Sequence, residues 1–63
     1  MSKTYELYHW HNGMWWGAGQ RTEEQINALR KVANWTTQYD GFESIYLPKL
    51  FKNEPWWKVV EVK

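Results

Sequence analysis

Tyr5-Glu6-Leu7-Tyr8-His9-Trp10-His11-Asn12-Gly13-Met14-Trp15-Trp16-Gly17-Ala18 is the stretch on which the fold turns. Two aromatic-rich runs flank Asn12-Gly13. That pair favours a two-residue type I′ turn, because both central positions require positive φ and Asn and Gly tolerate it best. A turn there sets the pairing of the two runs. His11 faces Met14, Trp10 faces Trp15, His9 faces Trp16, Tyr8 faces Gly17 and Leu7 faces Ala18. Trp10 and Trp15 fall at a non-hydrogen-bonded site, where cross-strand side chains approach most closely. One side of the ribbon then carries Tyr8, Trp10 and Trp15. The other carries Tyr5, Leu7, His9, Met14, Trp16 and Ala18. A single helix can cover only one of these sides, and the stretch alone does not say which.

The chain of 63 residues is expected to form a single domain. So short a chain buries only about 60% of its unfolded surface, which leaves a marginal core. With no cysteine there is neither a disulfide framework nor a thiolate metal site to reinforce it. Six Trp, four Tyr and two Phe take that role instead. Each buries roughly 150–250 Å², so more rings are present than one small core needs. The remainder must be exposed, or covered by a partner or a second copy.

A formal charge of +1 is too small to drive electrostatic capture of nucleic acid or an acidic membrane. No apolar run approaches the ~20 residues of a membrane span. The start, MSKTYELY, lacks the apolar core and cleavage site of a secretory leader. These features suggest a cytoplasmic protein complete as written, although a secreted fragment stripped of its leader would read similarly.

After the hairpin, Gly17 to Thr22 reads as a loop into a helix over residues 22–39. Thr22 and Gln25 form a capping-box pattern, Glu23 and Glu24 suit the positive end of the dipole, and Arg30 and Lys31 come later. Ile26, Leu29, Val32 and Ala33 make its apolar stripe, widened by Trp35 and Tyr39. Gly41 suits the left-handed position after a helix end. In Phe42-Glu43-Ser44-Ile45-Tyr46-Leu47, alternation places Phe42, Ser44 and Tyr46 opposite Glu43, Ile45 and Leu47. Pro48 interrupts that strand, and residues 42–52 stay open between strand and loop. Asn53-Glu54-Pro55 reads as a turn and Trp56 to Val62 as the last strand. The expected class is α+β: a ββαββ antiparallel sheet, beginning with the hairpin, with one helix packed on one face.

Four constellations carry chemical interest. Tyr8, Trp10 and Trp15, with His11 beside the turn, form a candidate partner-binding set, since Trp and Tyr dominate interaction hot spots. The same rings could instead be core. Lys49, Lys52, Trp56, Trp57 and Lys58 combine cations with flat rings, as single-stranded nucleic acid binding requires. They read more readily as a lysine-guarded edge strand. His9 and His11 share one side of a strand, but no further ligand stands at diagnostic spacing, so no metal or other cofactor is expected. Gly17-Ala18-Gly19-Gln20-Arg21 precedes a helix start yet fails the dinucleotide pattern. The Asn34-Trp35-Thr36 sequon falls within the expected helix and is discounted.

No catalytic arrangement can be argued, and an enzyme is not expected. The leading expectation is a small interaction protein (an inhibitor, adaptor or regulatory accessory, of the kind found among viral and mobile-element proteins) docking on a protein partner. The alternatives are single-stranded nucleic acid binding through Trp56, Trp57 and the C-terminal lysines, sugar recognition by flat indoles, and a homodimer joined through the aromatic face.

Overall fold

The computed structural model describes residues 3–63, so the first two residues of the start sequence lie outside it. The chain runs β1 (Thr4–His11), β2 (Met14–Thr22), α1 (Glu23–Val32), β3 (Trp35–Tyr39), β4 (Phe42–Tyr46) and β5 (Trp56–Val62). All strands join one antiparallel sheet in the order β2-β1-β5-β4-β3. The α+β class and the single helix on one face are as expected. The strand count is not, because the sheet has five strands rather than four.

The first hairpin follows its turn chemistry. Asn12 and Gly13 adopt φ of 51° and 80°, and the pairing runs as expected from His11↔Met14 to Tyr8↔Gly17. There a β-bulge intervenes, and the next pair is Glu6↔Gln20. Gly19, at φ 91°, lies in the bulged stretch, in a region that is costly for any side chain bearing Cβ. The bulge lets β2 continue to Thr22, so Gly17 to Thr22 is strand and not loop.

Helix α1 begins where its cap predicts. Gln25 N–H donates to Thr22 Oγ1 at 3.2 Å and Thr22 N–H donates to Gln25 Oε1 at 2.9 Å. The helix stops at Val32, well short of Tyr39, and Ala33 caps it with extended φ and ψ of −68° and 146°. Trp35-Thr36-Thr37-Gln38-Tyr39 instead pairs with β4 through a tight turn at Asp40-Gly41, Gly41 taking φ 91°. The bulky aromatic and β-branched residues of this stretch fit a pleated strand better than a helix. Asp-Gly between two such runs is also a hairpin signal in its own right.

β5 lies between β1 and β4 and joins the two hairpins into one sheet. The core consists of Tyr5, Leu7, Ile26, Ile45, Leu47, Trp57 and Val59, with Ala18, Leu29 and Ala33 packed against it. The helix therefore roofs the Leu7 side. Leu47 to Pro55 forms a loop whose base is tied by Leu47 N–H to Pro55 O at 2.7 Å, which resolves residues 42–52 into strand β4 followed by loop. Phe51 from this loop meets the Trp57 ring at 4.7 Å.

One ion pair links the layers. Arg30 Nε and Nη2 donate to the buried Glu43 carboxylate of β4 at 3.1 and 2.6 Å, with the guanidinium also above the Tyr5 ring. The hydrogen bonds to Glu43 raise the Arg30 pKa above its ordinary value, against the opposing effect of partial burial.

Candidate protein-docking face

The sheet side away from the helix carries the aromatic surface. Strand alternation sets Trp10 and Trp15 on it, and register adds residues from the other strands. Trp15 pairs with Trp10, Trp56 with Tyr46 and Tyr46 with Trp35. The pairing His9↔Trp57 places Trp56 beside Trp10. Trp15, Trp10, Trp56, Tyr46 and Trp35 thus form a row across all five strands, roughly 19 Å wide at the usual strand spacing. Trp10, Trp35 and Trp56 remain 42%, 40% and 45% exposed.

The rings stand against one another and do not form a flat platform. Trp10 meets Trp15 edge-on at 5.2 Å with an interplanar angle of 72°. Trp35 stacks on Tyr46 at 5.3 Å and 13°, and Trp56 abuts both at 80° and 67°. Trp56 is held by its indole N–H, which donates to the buried Ser44 hydroxyl at 3.1 Å. Trp10, Trp15 and Trp56 together line an open hollow of about 220 Å³.

The next row contains Gly17, Tyr8, Lys58, Ser44 and Thr37. The Lys58 ammonium lies 5.0 Å from the Tyr8 ring centroid, 4.9 Å from that of Trp15 and 5.7 Å from that of Phe42. Three ring faces surround a cation in the middle of the sheet, an arrangement that cation–π attraction favours.

Among the proposed partner-binding residues, Tyr8, Trp10 and Trp15 come together on this face, and His11 does not. His11 alternates to the other side of β1, where it and His9 turn their Nδ1 atoms to Glu54, His9 at 3.6 Å. Among the described residues, no group of three or more His, Cys, Asp or Glu is arranged to hold a metal ion. The proposed nucleic-acid set is divided. Trp56 and Lys58 join the aromatic face, whereas Lys49 and Lys52 sit on the β4–β5 loop, whose Phe51 packs on the helix side. Trp57 is 9% exposed, a core residue that offers no ring for stacking.

Trp35, Tyr39, Phe42 and Tyr46 are face residues that the sequence reading did not single out. The helical assignment of Trp35 and Tyr39 hid them, and the Asp40-Gly41 turn was the available signal. Among the described residues, no helix is long and apolar enough to cross a membrane. No protein-family model, curated protein or solved structure matches the chain.

Proposed function

We propose that the chain is a small non-enzymatic interaction protein, an inhibitor or adaptor acting in the cytoplasm, that docks on a protein partner through the open face of its sheet. The observation that carries this reading is the uncovered aromatic row from Trp15 to Trp35. Contiguous exposed apolar surface on a small protein marks an interaction site.

The partner's chemistry follows from the relief of the face. The Trp10–Trp15–Trp56 hollow takes one apolar side chain. Lys58, held between rings, takes a carboxylate beside it. The complementary surface is therefore a protein segment presenting an acidic residue next to an aliphatic or aromatic one.

The ring arrangement favours this partner over the alternatives. Base stacking and sugar recognition need free ring faces, and here Trp35 and Tyr46 occupy each other's. A strand of phosphates needs several cations, and Lys58 is the one cation in the row of Gly17, Tyr8, Ser44 and Thr37. A second copy packed face to face about a two-fold axis through the sheet centre would oppose two Lys58 side chains.

The test is affinity capture with the wild-type chain and with Trp10→Ala and Lys58→Glu variants. The captured protein is then purified and titrated by calorimetry. Loss of at least about 30-fold in affinity for Trp10→Ala, with circular dichroism unchanged, supports the reading. Equal affinity for all three chains overturns it. So does salt-sensitive tryptophan quenching by an oligothymidylate, which would assign the face to single-stranded nucleic acid.

A further inference from the structure

The two edges of the sheet are treated differently. β2 is broken by its bulge, has Gly19 at positive φ, and has one carbonyl occupied by its own side chain, Arg21 Nη1 donating to Gln20 O at 2.8 Å. These are devices that discourage further strand pairing. β3, the other edge, has no bulge and no residue at positive φ, and its one side-chain cap lies at the turn end, where Gln38 Nε2 donates to Tyr39 O and Phe42 O at 3.1 and 3.2 Å. Trp35-Thr36-Thr37-Gln38-Tyr39 contains no charge, proline, glycine or bulge and, among the described residues, pairs only with β4.

Its register shows what fits there. The closing pair of a two-residue hairpin, Tyr39↔Phe42, is hydrogen-bonded, and the bonding alternates from it. Trp35, Thr37 and Tyr39 therefore direct their backbone groups towards β4, while Thr36 and Gln38 direct theirs outward. The pattern is symmetric about Thr37. Two outward-bonding residues flank the centre, and beyond them stand two half-exposed rings, Trp35 and Tyr39, 40% and 50% exposed.

We propose that β3 pairs antiparallel with β3 of a second copy of this chain, about a two-fold axis at Thr37. Thr36 of each copy then lies opposite Gln38 of the other, and each such pair exchanges both backbone hydrogen bonds. Thr37 meets Thr37 at a non-hydrogen-bonded site, a favourable cross-strand pair. Trp35 meets Tyr39 at the sites of closest side-chain approach. A register shifted by one residue sets outward-bonding against inward-bonding residues and forms no ladder. A register centred on Thr36 or Gln38 removes one ring of each aromatic pair.

The rings within each copy are already aligned for this. Tyr39 stacks on Phe42 at 4.8 Å and 17°, and Trp35 on Tyr46 at 5.3 Å and 13°. Pairing at the edge joins a stack from one copy to a stack from the other, Phe42-Tyr39 followed by Trp35-Tyr46. Asp40 falls opposite Asn34 and meets no like charge. The result is a ten-stranded sheet whose two open faces are continuous. The edge shares Trp35 with the docking face but uses none of Trp10, Trp15, Trp56 or Lys58, so different variants test the two readings.

Sedimentation velocity from low-micromolar to near-millimolar concentration tests it on the wild-type chain, Thr37→Lys, Thr37→Glu and an equimolar mixture of the two variants. The expected results are a doubling of mass for the wild type, loss of the dimer for each variant alone through like charges at the axis, and its return in the mixture. Hydrogen exchange of the wild type supplies a mutation-free readout, with the Thr36 and Gln38 amides gaining protection as concentration rises. A wild type that stays monomeric with both amides unprotected overturns the proposal. A dimer that persists in both single variants also overturns it, because association then uses another surface.

Discussion

The Trp56 indole N–H donates to the Ser44 hydroxyl across the β4–β5 pair at 3.1 Å. Ser44 is a buried polar residue on the side of the sheet that carries the aromatic row. This bond holds Trp56 upright as one wall of the hollow it shares with Trp10 and Trp15. Ser44→Ala should cost about 1 kcal/mol, the net worth of one such bond, because water can replace the lost acceptor at an exposed indole. The near-ultraviolet circular dichroism of the tryptophans should weaken with little change in the far-ultraviolet. An unaltered near-ultraviolet spectrum would mean that neighbouring rings alone orient Trp56.

The two sides of the sheet should answer differently to truncation. Trp10→Ala removes a half-exposed ring and its edge-on contact with Trp15, for about 1 kcal/mol. Ile45→Ala removes a fully buried side chain and should cost about 2–5 kcal/mol. Urea denaturation should leave Trp10→Ala cooperatively folded and bring Ile45→Ala near its midpoint in water. The reverse order would mean that the helix covers the other face.

The Arg30–Glu43 pair joins the helix to the sheet over a buried carboxylate. Arg30→Ala strands that charge and should destabilise by about 3 kcal/mol. The double change Arg30→Met with Glu43→Leu should recover most of the loss, because it removes the buried charge along with its partner. Thermal denaturation of the single and double variants reads this directly. If the double variant is no more stable than Arg30→Ala, the pair contributes more than compensation of its own burial.

Two neighbouring glycines should behave oppositely. Gly19→Ala forces Cβ into φ 91°, a strain of about 1–3 kcal/mol. The contact it makes, 3.3 Å to the flexible end of Arg21, adds little. Gly17→Ala meets only an ordinary contact at 3.9 Å with φ outside the left-handed region, and should be neutral or slightly stabilising. Melting temperatures of the two variants provide the comparison, and equal losses would show that the bulge does not depend on Gly19.

Much of the architecture was legible because its causes are local. Asn12-Gly13 set both the turn and the register as far as Tyr8↔Gly17. Thr22 and Gln25 placed the helix start to within one residue. Alternation in Phe42 to Leu47 separated the face residues from the core residues correctly. Trp35 to Tyr39 reads as helix in the sequence because its rings also fall at helical spacing from Ala28 and Val32, where they widen the apolar stripe. The same rings satisfy either period until a partner strand is available, and β4 supplies one only across the Asp40-Gly41 turn. The bulge at Gly19 escaped notice because a glycine between a strand and a helix reads equally well as loop.

The sequence by itself determined the turns, the helix cap and which side chains share a side of each strand, since each depends on residues a few positions apart. Only the tertiary structure decided which side the helix covers and which strands become neighbours. Alternation is symmetric between faces, and strand order depends on contacts between residues distant in sequence. Setting β5 between β1 and β4 brings Trp56 beside Trp10 and Lys58 beside Tyr8. Aromatic residues scattered from Tyr8 to Trp56 become one surface there.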